Sequence, residues 1–187
     1  MSPGGHLLTT SAACAAVYAG TGSVPLTAGL FAGGFLIDLD HVFDYVVFEG
    51  QRRLSPSAFL HHYVEGRVQR VVLLLHSYEL LALLAWLAWL GDSVWLWGYV
   101  LGMALHLPLD VIWNGRLVPG GLLHFYSFAV RWRAGFRAAH FADPRRLAPA
   151  DGGFWDAFFR GARLRQERPP AASASDPAPR PAPVAAP

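Results

Sequence analysis

The chain has 187 residues, 53% of them hydrophobic and 15% charged, with a mean hydropathy of +0.31, whereas an ordinary soluble domain carries about 25% charged residues. That balance argues against a water-solvated domain, and the length leaves room for at most about three or four spans of roughly 20 apolar residues. Apart from histidine the basic residues are all arginine, and the net charge of +2 is too small to imply a nucleic-acid partner. The single cysteine, Cys14, excludes an intramolecular disulfide and a thiolate-rich metal site, so any ligand set must be His and carboxylate.

Met1 to Gly5 carries no Lys or Arg and no n-region of a signal peptide, so these residues are expected to be retained. From His6 to Ile37 the chain is apolar and rich in small residues, broken by Gly20-Thr21-Gly22-Ser23 and Pro25. This pattern predicts a short helical hairpin within residues 1–48. Its second arm carries Gly29 and Gly33, a spacing that lets another helix backbone approach closely, and it ends in Asp38-Leu39-Asp40-His41.

Residues 49–70 hold Arg52, Arg53, Arg67 and Arg70, with His61 and His62 between them, and predict a polar cytoplasmic connection with room for part of a helix, whose histidines face solvent. Val71 to Leu90 gives the strongest transmembrane signal, with only His76 and Glu79 as strongly polar members. Gly91-Asp92-Ser93 then turns the chain into a second apolar stretch, Val94 to Trp113, whose Trp95 and Trp97 fall where an aromatic belt is expected. Residues 71–115 are thus predicted as an antiparallel transmembrane pair.

In 116–168, Leu122 to Val130 is too short to span, and Phe154-Trp155 with Phe158-Phe159 beside Arg160, Arg163 and Arg165 predicts an interfacial amphipathic helix. Residues 169–187 are mainly Pro, Ala and Ser and predict a disordered tail. Arginines flank the pair at its open end and are missing from its turn at Asp92, which places the open end and the tail in the cytoplasm. The expected fold is an all-α polytopic membrane helical bundle with interfacial C-terminal helices. Membrane lipids are its expected surroundings, and its glycine faces could also serve a homo-oligomer.

One constellation carries chemistry. His76 lies 16 residues before Asp92 and His106 to Asp110 lie 14 to 18 after it, so at about 1.5 Å per residue they reach one depth across the hairpin. His76 and Glu79 are spaced i, i+3, and His106 and Asp110 i, i+4, which would put each pair on one helix face. Gly98 and Gly102 continue the His106 face, pointing it into the bundle. Charged groups inside a bilayer need partners, and Asp38, Asp40 and His41 close the other glycine-rich helix. The group Asp38, Asp40, His76, His106 and Asp110 therefore predicts a site for one or more divalent ions of zinc, manganese or Fe(II). His41 or Glu79 is the expected proton carrier, Glu79 alternatively orienting His76. His124 and His140 are assigned no role.

These residues resemble the bacterial membrane-bound metal-dependent hydrolases, also described as LexA-binding, inner-membrane-associated hydrolases. The likeness rests on an early histidine (His6), a glycine-rich helix ending in Asp-x-Asp-His (Asp38, Asp40, His41), His76-Ser77, and a later His-x-x-x-Asp (His106, Asp110), over about residues 6 to 113. It implies a multi-pass protein of the inner membrane, adds His6 to the metal set, and implies hydrolysis by metal-activated water with no substrate named; the location of the site at the cytoplasmic interface is what points to a phosphoester or a lipid-linked ester. The family's His-Arg-Gly-x-Thr-His-Ser run is altered here: Val71, Val72 and Leu75 stand before His76 and Ser77. That change removes one possible ligand and one basic contact.

Two other readings use the same residues. His76 and His106 could be the axial ligands of a b-type haem, or the cluster could be a non-enzymatic scaffold or proton relay whose groups bond only to one another. A Soret band in the absorption spectrum separates the first from a zinc site. On the second, His76→Ala reduces folding and releases no metal.

Overall fold

The computed structural model of the protein describes residues 1–115, 117, 121–150 and 152–165. The tail expected over 169–187 lies outside these residues, as do Arg116 and Arg168 of the arginine clusters.

The described chain is all-α. Its helices are α1 (Pro3–Thr21), α2 (Val24–Gly34), α3 (Leu39–Phe43), α4 (Pro56–Val64), α5 (Tyr78–Gly91), α6 (Val94–Asn114), α7 (Leu122–Phe125), α8 (Phe128–Arg133) and α9 (Phe154–Arg160). Serine sets most of the boundaries. Ser2, Ser23, Ser55, Ser77, Ser93 and Ser127 each accept a backbone N–H of the first turn of the helix they precede, which satisfies a donor the helix itself leaves unpaired.

The cap at Ser77 changes the expected architecture. Ser77 is extended (φ −137°, ψ 140°) and its Oγ accepts the N–H of Leu80, so Val71–Leu90 is not one helix. Only the 14 residues of α5 are helical, about 21 Å of rise against a hydrocarbon core of about 30 Å. Residues 71–77 form an irregular segment, with Leu73 at φ 44°. Among the described residues α6 alone is long and apolar enough to cross a membrane by itself. The helix α2 and the Leu36–Phe48 stretch pass the same test only together, across a bend of 42°.

The pairing that organises the molecule is α2 against α6, running parallel. A Cβ on Gly29 would fall on the carbonyl oxygen of Trp95, one on Gly33 on that of Tyr99, one on Gly98 on that of Leu26, and one on Gly102 on that of Leu30. The four glycines therefore bring two helix backbones into direct contact. Both glycine faces are engaged inside the chain. Beside this pair, α1 packs antiparallel to α2 with Thr10 against Gly34, and α5 packs on α6.

Ile37, Leu73, Met103, Leu107 and Tyr126 form the main core, so the irregular segment at Leu73 is buried within it. A smaller cluster joins Leu60 and Val64 of α4 to Ala157 of α9, with Phe154 and Phe158 packed on it. The segment 49–70 thus contains a packed helix, and α9 has its inner face on protein while Trp155 and Phe159 remain exposed. Gly33→Ala is expected to destabilise the fold by about 3 kcal/mol or more, the upper end for overpacking, because backbone blocks the added methyl. Gly20→Ala, whose Cβ meets nothing within 4 Å, is expected to leave the thermal unfolding midpoint in detergent unchanged or slightly raised.

Candidate metal centre

Where α2 ends at Gly34, the chain tightens into a 3-10 turn over Leu36–Asp38 before α3. That turn carries Asp38 toward the C-terminal half of α6, which presents His106 and Asp110 from one face, both buried. His76 arrives from the irregular segment and is fully buried. The depth argument from the hairpin thus reaches the right neighbours although its helix assignment for His76 is wrong.

The nitrogen Nε2 of His76 lies 3.2 Å from Nε2 of His106, and Asp38 Oδ1 lies 3.4 Å from the first and 3.5 Å from the second. Ligand atoms held about 2.0–2.1 Å from a tetrahedral ion stand roughly 3.3–3.4 Å apart, so the triangle has the edge lengths of a tetrahedral face. The remaining ring nitrogens fix the protons. His106 Nδ1 is 2.9 Å from the carbonyl of Gly34, which can only accept, and His76 Nδ1 is 3.3 Å from Asp40 Oδ2. Both Nδ1 atoms therefore donate, leaving two lone pairs and a carboxylate aimed at one point. Such an arrangement requires a cation or an added proton between them.

A second buried trio joins it. His6 stacks on His106 with centroids 3.7 Å apart and rings 12° from parallel, and its Nε2 lies 2.8 Å from Asp110 Oδ1. Asp110 Oδ2 is 3.6 Å from His106 Nε2 and accepts the Tyr126 hydroxyl at 2.7 Å, while Asn114 donates to Oδ1 at 3.0 Å. The Met1 amino group also lies against Oδ1. Burial, reinforced by the charge of Asp110, pushes the Tyr126 phenol well above its usual range, so it stays a donor. Both trios could hold a metal ion, and they share His106.

Several expectations are corrected. Asp40, expected as a ligand, instead uses Oδ2 to accept the backbone N–H groups of Leu75 and His76 and to hold His76 Nδ1. It orients a ligand. Glu79 shares no face with His76, because the helix starts after His76; its carboxylate accepts from Ser127 Oγ and from the N–H groups of Phe128 and Ala129, at the start of α8. His62 is buried and bonds Glu49, while His61 bonds Glu65, so neither is simply solvent-facing. His41 does reach the site: its ring stands edge-on to His76 at 4.9 Å and its Nε2 is 3.9 Å from Asp38 Oδ1.

Three side chains were not foreseen. Asp44, four residues after Asp40, accepts the N–H groups of Val72 and Leu73. Arg131, fully buried, donates to the carbonyls of Leu73 (2.9 Å), His76 (3.0 Å) and Phe125 (2.5 Å). Two carboxylates thus hold the N–H groups of the 72–76 backbone and one guanidinium holds its carbonyls. Tyr126, on Asp110, is the third. The i, i+4 spacing of Asp40 and Asp44 was a readable signal; Arg131 and Tyr126 had none.

The haem reading does not fit. A porphyrin plane would have to lie between the two Nε2 atoms, which are 3.2 Å apart with Asp38 Oδ1 beside both.

Arg131→Met would leave three carbonyls without this donor and is expected to cost about 3 kcal/mol or more in unfolding free energy, with metal affinity falling in parallel. Glu79→Gln is expected to cost about 1 kcal/mol and to leave metal content unchanged, as elemental analysis of the detergent-purified protein will show.

Comparison of the chain with family models, with curated proteins and with solved structures finds no match.

Proposed function

We propose that the protein is a multi-pass inner-membrane hydrolase that depends on one divalent ion, in line with the family resemblance of its motifs. The observation that carries this reading is the triangle of His76 Nε2, His106 Nε2 and Asp38 Oδ1, whose donor atoms face one another with both imidazole protons engaged elsewhere. Asp110 Oδ2 is the nearest further oxygen to His106 Nε2, and His6 supports it. The tetrahedral edge lengths fit zinc, and the same donor set of two histidines and one carboxylate also suits Fe(II).

When bound, an ion in such a site lowers the pKa of water toward about 7 and makes hydroxide available at neutral pH. The chain's own residues supply the rest. Asp40 keeps the proton of His76 on Nδ1, and Tyr126 and Asn114 hold Asp110 in place. His41 lines a cleft beside Asp38, and its buried Nδ1 has no hydrogen-bond partner among the described residues. It is the group placed to carry a proton between this cleft and the site.

The membrane arrangement follows from the same helices. The helix α6 supplies one full span, the bent α2 to Phe48 stretch a second, and the shorter α1 and α5 flank them, with lipids on the exposed apolar faces that include Trp86, Trp89 and Ile112. The arginine-rich ends sit on the cytoplasmic side, together with the metal cluster.

Elemental analysis of detergent-purified protein is expected to give about one zinc per chain, since the two trios share a donor. His106→Ala and Asp38→Ala are expected to lose it, and Asp40→Asn to weaken binding by roughly 10- to 100-fold, as orienting partners do. A scaffold or proton relay predicts wild-type protein without stoichiometric metal and variants that change only stability.

A further inference from the structure

Beside the cluster lies a cleft of about 450 Å³, within the size range of small-molecule sites. Its polar lining is contiguous with the cluster: Asp38 and Asp110 belong to the cluster, Asn114 bonds Asp110, and His41 stands next to Asp38. The rest of the wall is almost wholly apolar, drawn from α3 (Leu39), α4 (Phe59, Leu60) and α9 (Phe154, Phe158). These elements are packed on one another through the Leu60, Val64 and Ala157 cluster, so the walls belong to the folded core rather than to a loose flap. A polar patch joined to a hydrocarbon-lined trough matches a molecule with one reactive polar end and one apolar chain.

We infer that this cleft seats the hydrocarbon chain of a single-chain amphiphile whose hydrolysable head group meets the cluster at its Asp38 and Asp110 edge. The inference rests on the metal-hydrolase reading for the fate of the head group, while the seating of the chain is independent of it. The aromatic and leucine side chains supply apolar contact along the chain, and burying each methylene outside water adds to affinity. The junction of trough and cluster places the bond next to the head beside Asp38, Asp110 and His41.

The test uses the full chain with its bound metal in phosphatidylcholine nanodiscs and, as probe, a dodecyl amide with a terminal diazirine. After illumination, peptide mapping is expected to find adducts on residues 56–64 and 154–162. Ala162→Trp and Val42→Trp, at two residues that line the cleft, are expected to reduce those adducts by about tenfold, the scale of overfilling a packed site, with metal content and helical circular dichroism retained. Adducts confined to the outer faces of α5 and α6, unchanged in both variants, overturn the inference. A second arm measures turnover of a dodecyl carboxylic ester and of dodecyl phosphate. Cleft labelling with no turnover of either keeps the chain site and removes the hydrolase reading; turnover without cleft labelling removes the chain site and keeps the hydrolase.

Discussion

Two helix backbones in direct contact, α2 and α6, set the position of nearly everything else. Because Gly29 and Gly33 meet the backbone around Trp95 and Tyr99, and Gly98 and Gly102 meet that around Leu26 and Leu30, the helices run parallel and close. The carbonyl at the end of α2 then falls 2.9 Å from His106 Nδ1. That one bond selects the imidazole tautomer, turns Nε2 toward the cluster, and brings the turn with Asp38 to 3.5 Å from it. A contact of van der Waals character thus sets the electrostatics of the site.

The other half of the site is built against the preferences of its sequence. Val71 to Leu75 is apolar enough to pass as the start of a membrane helix, yet it is held irregular. Leu73 adopts φ 44°, a region that side chains other than glycine seldom occupy. Asp40 and Asp44 accept four backbone N–H groups of this segment, and Arg131 donates to two of its carbonyls. Buried backbone groups outside a helix need such partners, and the clamp supplies them from two separate parts of the chain, Asp40 to Asp44 and Arg131.

Much of the site was legible in the sequence because its residues depend on local spacing. His106 and Asp110 share a face by periodicity alone, the glycine pairs announce close packing, and an Asp-x-Asp-His run at the end of an apolar helix marks a turn rich in donors. His76 was found at the right level for the wrong reason. Hydropathy counts apolar residues and cannot tell a helix from a buried irregular strand of the same composition; the capping serine at position 77 was the clue to the boundary. The roles of Asp40 and Glu79 were misplaced for a related reason, since a carboxylate's partner depends on which backbone lies opposite it. Arg131 and Tyr126 depend on contacts made 16 or more residues away, and no local pattern encodes those.

X-ray absorption at the zinc edge of the purified, zinc-loaded protein tests the central claim most directly. The account predicts a first shell of nitrogen and oxygen at about 2.0–2.1 Å, with the outer-shell scattering of two imidazoles, and loss of that pattern in His76→Ala. A shell without histidine, or one that is the same in His76→Ala, would contradict it.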